Sequence, residues 1–352
     1  MFVLGFDPVF LDILVSPFDQ KNQKLSSLPK IGEHITTTEV SMIPGGNSLN
    51  VARVLAKITD EVYFFSSFNN FFLELVQNNI PPLHAIATRS QEPNYTVALQ
   101  FKHGEIQMNS LHYFFGLQDI SFNSLYYLTF SKVVPFSNIG LNKQAPEVFD
   151  FLSNYFSIFN DFQLRSPSLD SFDLIKEFFS ENHPMFDKLS LFSEGFPKEF
   201  SHDLTNQSFN ISQKIFYFDP SSLKSFTNWN WLNHFITNKF GPLPGFKIIS
   251  LNEHEYNLMK TNLVDFQTFL EKSPRNFLIV HESTNIRYFQ HSLDNMKELS
   301  VPSLNEDTIV TSVGAGDSFN AGLIYEFSKS FDIISACSYA ITVAQRYMTN
   351  TL

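Results

Sequence analysis

Apolar positions along the chain fall into short runs separated by polar, turn-forming stretches, and the runs switch between a strand period and a helix period. Phe2–Leu4 and Phe10–Val15 read as buried strand, with the Asp7–Pro8 step a bend or bulge between them. Residues 34–43 (HITTTEVSMI) are rich in β-branched types and read as strand, and Tyr63–Ser67 as a short strand. Between them, Asn47–Lys57 places Leu49, Val51, Ala52, Val54, Leu55 and Ala56 as a buried helix would. Alternation through Tyr95, Val97, Leu99 and Phe101, a Lys102-His103-Gly104 turn, then Ile106 and Met108, predicts a hairpin over 95–109. Further apolar runs at Leu125–Phe130, Ile215–Phe218, Lys247–Ile249 and Phe277–Val280 lie beside helix-like segments. That spacing predicts an α/β fold with a doubly wound, mostly parallel sheet covered on both faces. The strand groups at 34–43 and 95–109 fit such a sheet poorly and are expected to form a small β lid. Residues 145–214, rich in Phe, Ser, Asn and Asp, show weak periodicity. They read as an amphipathic helical insertion beside the sheet or as a partly ordered surface excursion; we expect the first.

Composition narrows the function classes. The 352 residues carry 24 Lys and Arg against 35 Asp and Glu, a formal charge of −11, so no net basic field exists to hold a nucleic-acid backbone or an anionic membrane. Hydrophobic residues at 43% are enough for a sizeable core. One cysteine, Cys337, excludes an intramolecular disulfide and suits a reducing compartment. The opening MFVLGFDPVFLDILVSPF lacks a basic start and is interrupted by Asp7 and Asp12, so a first strand is expected rather than a signal peptide. No run of about 18 uncharged apolar residues occurs, so no spanning helix is expected, and a cytoplasmic location is expected by default. None of the ten histidines has an H-x-x-x-H or cysteine partner, so no zinc site is expected, and His254 reads as a solvated neighbour of two acidic residues.

Glycine is scarce, 13 residues, yet two clusters concentrate it. The first, Pro44-Gly45-Gly46-Asn47-Ser48-Leu49-Asn50, stands between a strand and a helix. Paired glycines allow close approach to the backbone, and Asn50 would offer a donor and an acceptor to a polyol; Gly-Gly taken alone reads first as an ordinary strand-to-helix turn. The second, Thr311-Ser312-Val313-Gly314-Ala315-Gly316-Asp317-Ser318-Phe319-Asn320-Ala321-Gly322, follows the strand-like Ile309–Val310 and opens a long helix. Unpaired N–H groups and the positive end of a helix dipole make such a start an anion site. Asp317 there is either a dipole partner or the acceptor of a proton from an attacking hydroxyl. Neither G-x-x-x-x-G-K-[ST] nor a G-x-G-x-x-G after the first strand is present.

Together the two clusters, PGGNSLNVA and SVGAGDSFNAGL, resemble the signatures of the PfkB (ribokinase-like) family of carbohydrate and nucleoside kinases. Asp12 on the first strand, Gly32-Glu33 before the lid, Phe218-Asp219-Pro220, and Asn252-Glu253-His254-Glu255 as an N-x-x-E motif extend the resemblance over most of the chain. The resemblance implies a single kinase domain over 1–352, with lid strands near 34–43 and 95–109 and an atypical insertion near 145–214. It implies transfer of the ATP γ-phosphoryl group to an alcohol of a sugar or nucleoside, with Mg²⁺. By the same resemblance, Asp317 is the catalytic base, and the backbone of Gly314, Ala315 and Gly316 is the anion hole. Asp12, Gly45, Gly46 and Asn50 meet the substrate; Asn252, Glu255 and Ser283 serve the nucleotide, and Glu255 organises the metal through water. Lid strands of this family often pair two chains, and exposed strand edges make a homodimer plausible.

Four places depart from the family pattern. Thr311 and Ser312 stand where an aspartate and a threonine are usual, and Ser66-Ser67-Phe68-Asn69-Asn70 replaces G-D-x-x-G. His281-Glu282-Ser283-Thr284-Asn285-Ile286 has no glycine, with Ser283 and Ile286 in the glycine places. The segment after the last helix, which often closes over adenine in this family, is expected to be short. These departures keep open a second reading, a catalytically weak or inactive member acting as a binding or scaffold module.

Overall fold

The computed structural model describes residues 1–18, 36–101, 104–166, 171–182, 210–221, 223–305, 308–311 and 314–352. The predicted Gly32-Glu33 feature, the Lys102-His103 turn, Ser312-Val313 and the 183–209 part of the expected insertion lie outside them.

Strands β1 (Phe2–Gly5), β4 (Val62–Ser67) and β5 (Leu83–Arg89) run parallel in the order β1-β4-β5. A six-stranded sheet follows the order β13-β12-β11-β10-β9-β8, with β8 (Val133–Ser137), β9 (Ile215–Asp219), β10 (Phe246–Asn252) and β11 (Asn276–His281) parallel. Its far edge, β12 (Asn285–Gln290) and β13 (Ser292–Ser300), is antiparallel. β1 abuts β8: Lys132 N donates to Met1 O at 3.2 Å and Val3 N to Ser131 Oγ at 2.9 Å.

Strand residues alternate between two cores, as strand geometry requires. Val3, Phe216, Phe218, Leu278 and Val280 join one core. Phe2, Leu4, Tyr217, Phe277 and Ile279 join the other. Helices α1 (Asn47–Ile58), α9 (Ala315–Ser330) and α10 (Ile333–Met348) supply the second core, through Leu49, Leu55, Leu323, Phe327 and Ala340. Helices α3 (Phe122–Phe130) and α4 (Ala145–Arg165) supply the first, through Tyr126, Phe149, Leu152 and Phe156. This is the expected α/β architecture with a mostly parallel sheet.

The lid is larger than its two predicted strand groups. β2 (Phe10–Phe18) leaves the main sheet after the Asp7–Pro8 bend and pairs antiparallel with β3 (Thr36–Gly45) and parallel with β6 (Asn94–Phe101); β7 (Gly104–Ser110) completes the order β3-β2-β6-β7. Two other expectations are corrected. The Leu125–Phe130 run is helix, because Ser121 and Ser124 cap each other's backbone N–H groups at its start, at 3.1 and 3.0 Å. The strand beside it is Val133–Ser137. Ile309–Val310 is exposed, irregular chain, held by Val310 N to Met348 O at 2.8 Å.

In the 145–214 segment, α4 and α5 (Ser171–Glu181) are amphipathic helices. The buried Phe149 ring of α4 lies 5.2 Å from Phe136 and 5.5 Å from Phe235, and the Phe156 ring 5.4 Å from Phe216. The surplus of phenylalanine is therefore spent largely on covering this face of the sheet. Phe149→Ala is expected to cost about 3–5 kcal/mol of unfolding free energy in urea titrations, transfer and cavity terms combined. A loss as small as roughly 0.5 kcal/mol, the size of a surface substitution, would show that α4 does not carry the core.

Candidate active site

The carboxyl ends of β8, β9, β10 and β11 bring Asn138, Asp219, Asn252 and His281 to one side of the sheet, the crevice where open α/β folds bind ligands. The inner face of the lid closes over it with Asp12, Leu14, Thr96, Ala98 and Asn109. The amino ends of α1 and α9 enter from the side. Between them is a cavity of about 600 Å³ that Gly46, Asn50, Glu255, Gly314, Gly316 and Asp317 also line.

The start of α9 is built on a left-handed glycine. Gly314 has φ 81° and ψ 7°, a left-handed conformation that a side chain would strain. The first intrahelical bond runs from Ser318 N to Gly314 O at 2.9 Å. The N–H groups of Ala315, Gly316 and Asp317 therefore have no partner inside the helix, and they lie at its positive end. Asp317 is in this first turn and on the cavity wall, and Asn50 Nδ2 donates to its Oδ2 at 3.0 Å. Burial and the charge of Asp219 push the Asp317 carboxyl up to about 8, against the opposing pull of the Asn50 amide and the Arg53 guanidinium.

The first glycine cluster has a steric role at one residue. A Cβ on Gly45 would lie 1.9 Å from Asp12 Oδ2, so only glycine lets that carboxylate sit against the turn. Behind the turn, buried Asp7 accepts from Ser48 N at 3.3 Å at the amino end of α1. Burial pushes Asp7 up to about 7 despite Ser48 and Ser137 as hydrogen-bond partners. Deeper in the cleft, Asp219 is gripped by Asn320 Nδ2 at 2.9 Å, Asn47 Nδ2 at 3.4 Å and Ser221 N at 3.2 Å. Ser250 Oγ orients Asn320 through its Oδ1 at 2.8 Å.

The N-x-x-E motif is first of all a capping box. Asn252 Oδ1 accepts from Glu255 N at 2.8 Å, and Glu255 Oε2 accepts from Asn252 N at 3.0 Å, at the start of α7 (Glu253–Thr261). This anchors a mostly buried carboxylate on the cavity wall. Burial, then the charge of Asp219, raises the Glu255 pKa, and burial raises that of Asp219. No group of three or more His, Cys, Asp or Glu is poised to ligate a metal directly among the described residues. Three carboxylates that resist ionisation in one cleft, all hard oxygen donors, do fit a hydrated Mg²⁺ that keeps its waters.

Nine of the sequence-predicted residues meet at this one place: Asp12, Gly46, Asn50, Asn252, Glu255, Gly314, Gly316 and Asp317 line the cavity, and Gly45 backs Asp12. Ala315 belongs to the same helix start without lining it. Ser283 is elsewhere: it is exposed at the tip of the β11–β12 hairpin, which Glu282 N closes on Asn285 O at 2.9 Å. The site list from sequence omitted Asp219, Asn320, Asn47 and His281. Asp219 and Asn320 were readable in principle, the first ending a strand before proline, the second one helical turn beyond Asp317 on the same face. His281, set against the anion loop with its ring 5.0 Å from Phe319, had no local signal.

The site thus combines an α/β sheet, a cleft roofed by a β lid, and an acid in the first turn of a helix that opens on that cleft. Residues 188–351 match the model of the pfkB family carbohydrate kinase, so the resemblance to that family holds over this C-terminal part of the chain. No curated protein sequence matches the chain. Among solved structures, the nucleoside kinase of Methanocaldococcus jannaschii, an archaeal member of the ribokinase family, is 14% identical with a TM-score of 0.58, covering 99% of this chain and 91% of its own. Adenosine kinase of Schistosoma mansoni in complex with 2-fluoroadenosine is 14% identical, TM-score 0.59, covering 99% and 95%. Ribokinase of Cryptococcus neoformans in complex with ADP is 12% identical, TM-score 0.60, covering 99% and 93%. The fold is ribokinase-like throughout.

The cleft charges set a pH dependence. An acid whose folded pKa lies above its unfolded value stabilises the fold fully below about 4 and loses that contribution as pH rises through the folded pKa. With Asp7 at about 7 and Asp317 at about 8, the melting temperature of the ligand-free protein is expected to fall from about pH 4 upward and to level off above about pH 8. Asp317→Asn is expected to flatten that fall in differential scanning fluorimetry. An unchanged slope would refute the uncompensated charge.

Proposed function

We propose that the protein is an ATP-dependent kinase that transfers the γ-phosphoryl group to an alcohol group of a sugar or nucleoside. The observation that carries this reading is Asp317: an acid on the cavity wall, in the first turn of a helix whose opening glycines, Gly314 and Gly316, line the same space. In this reading Asp12, Asn50 and the Gly45–Gly46 turn hold the acceptor's hydroxyls. The N–H groups at 314–316 take the negative charge that gathers on the transferred phosphoryl oxygens. Asp317 accepts the hydroxyl proton as the alcohol oxygen bonds to the γ-phosphorus and ADP leaves with the electron pair of the broken P–O bond. A base near pH 8 is well matched to that step. Asn252 and Glu255 would hold Mg²⁺ through its water shell, and the ion would supply positive charge against the phosphates. The family match over 188–351 and the ribokinase-like fold support the class.

A second copy docking on the lid belongs to the same reading. Pocket-lining Asp12, Thr96 and Asn109 face inward, so the in-register row Met42–Ile13–Val97–Met108 and the row Val40–Val15–Leu99 face outward. Val40, Met42 and Met108 are 60, 54 and 53% exposed, an apolar sheet face that a copy of itself would cover. Sedimentation velocity is expected to give a dimer that Met42→Glu with Met108→Glu splits; a wild-type monomer refutes the pairing.

ADP release with Mg-ATP, measured across ribose, fructose, adenosine and inosine, tests the activity. Asp317→Asn is expected to lower kcat by about 10²- to 10⁴-fold, with ATP affinity by calorimetry unchanged within a few-fold. Activity that survives the substitution removes the base. A wild-type chain with no ATP or ADP affinity refutes the kinase and leaves a binding module.

A further inference from the structure

The charge of one side chain reaches both halves of the cleft from behind. Arg53 lies one helical turn beyond Asn50 on α1, so the two share a face. Its guanidinium donates from Nη2 to the carbonyl of Pro44, the residue that leads into the Gly45–Gly46 turn. That turn is where Asp12 packs so closely that no Cβ fits. Arg53 does not line the 600 Å³ cavity; it lines a smaller one of about 220 Å³ behind the anion loop, with Lys57, Thr311 and Tyr347. The groups whose charge reaches it are Tyr347 from α10, Asp12 from β2 and Asp317 from α9, with Lys57 on its own helix beside the same small cavity. Burial works against the guanidinium charge, and those three partners support it. An arginine keeps its charge under such conditions.

We propose that Arg53 is a positioning residue of this site: it pins the Pro44 carbonyl, so fixing the Gly45–Gly46 turn against Asp12, and supplies from behind the cleft the positive charge that steadies Asp12 and Asp317 as anions. This rests on the kinase reading for its catalytic meaning, while the geometry stands without it. A guanidinium does both tasks because its donors form a fixed fork, one edge committed to a carbonyl and the charge spread over the whole plane. Methionine keeps the length of the stem but neither function; lysine keeps the charge with different donor geometry.

The experiment has two readouts. In the first, melting temperature is followed from pH 5 to 9 for the ligand-free wild type, Arg53→Met and Arg53→Lys. The gap between wild type and Arg53→Met is expected to widen as pH rises, because the ionising carboxylates lose their counter-charge, while Arg53→Lys runs parallel to wild type. A gap of constant size at every pH would mean a packing role only and overturns the electrostatic half of the proposal. In the second, Arg53→Met is expected to raise the acceptor KM about tenfold, the effect of one lost hydrogen bond to a charged group. It is also expected to move the acid limb of kcat/KM to higher pH, leaving the ATP KM unchanged; Arg53→Lys restores the limb but not the acceptor KM. Equal losses in both KM values with an unmoved limb overturn the proposal. If wild type turns over no acceptor, the kinase reading fails, and the pH-dependent melting still decides the role of Arg53.

Discussion

Buried carboxylates that resist ionisation are the constraint on which this structure turns. Asp7, Asp219, Glu255 and Asp317 crowd the carboxyl ends of the strands, and each is pushed toward its neutral form by burial. The fold tolerates them by surrounding them with amide donors: Asn50 on Asp317, Asn320 and Asn47 on Asp219, the backbone of Asn252 on Glu255. These donors come from distant segments, and the Asn50–Asp317 contact alone spans 267 residues of sequence. The cleft is therefore assembled only when the whole α/β body is folded, and the two glycine clusters mark the points where backbone must come close enough for it to close.

Much of the architecture was legible because local and global signals agreed. The Asn47–Lys57 helix, the hairpin of residues 95–109 and the strands at 215–218, 247–249 and 277–280 appear where their periodicity predicts, and the family resemblance placed the cleft residues on both sides of one cavity. What was not legible has identifiable causes. Leu125–Phe130 is a short apolar run whose composition suits strand or helix equally; the deciding signal was two serines upstream. The true strand, Val133–Ser137, contains Pro135, which normally demotes a segment. It is tolerated because β8 ends the six-stranded sheet, with β9 its hydrogen-bonded partner there.

The change of sheet at β2 was invisible for a different reason. Phe10–Val15 is as apolar as β1, but its neighbours were set by Asp7 and Pro8, which turn the chain, and by pairing with strands 30 and 80 residues further on. Alternation can assign faces within a sheet, never which sheet. Ser283, given a nucleotide role by motif position, stands on a hairpin that keeps its backbone closed and leaves the side chain in solvent. His281, two residues earlier, lies on the cavity wall.

The Asn252–Glu255 box has a bearing on how this cleft is to be dissected by mutagenesis. One carboxylate both ties down the amino end of α7 and contributes negative charge to the cavity. Truncating it to alanine unties the helix and discharges the pocket together, so any lost activity would be uninterpretable. An isosteric amide can still accept from Asn252 N while carrying no charge. Replacing the acid by glutamine is thus the way to separate scaffold from chemistry at this position.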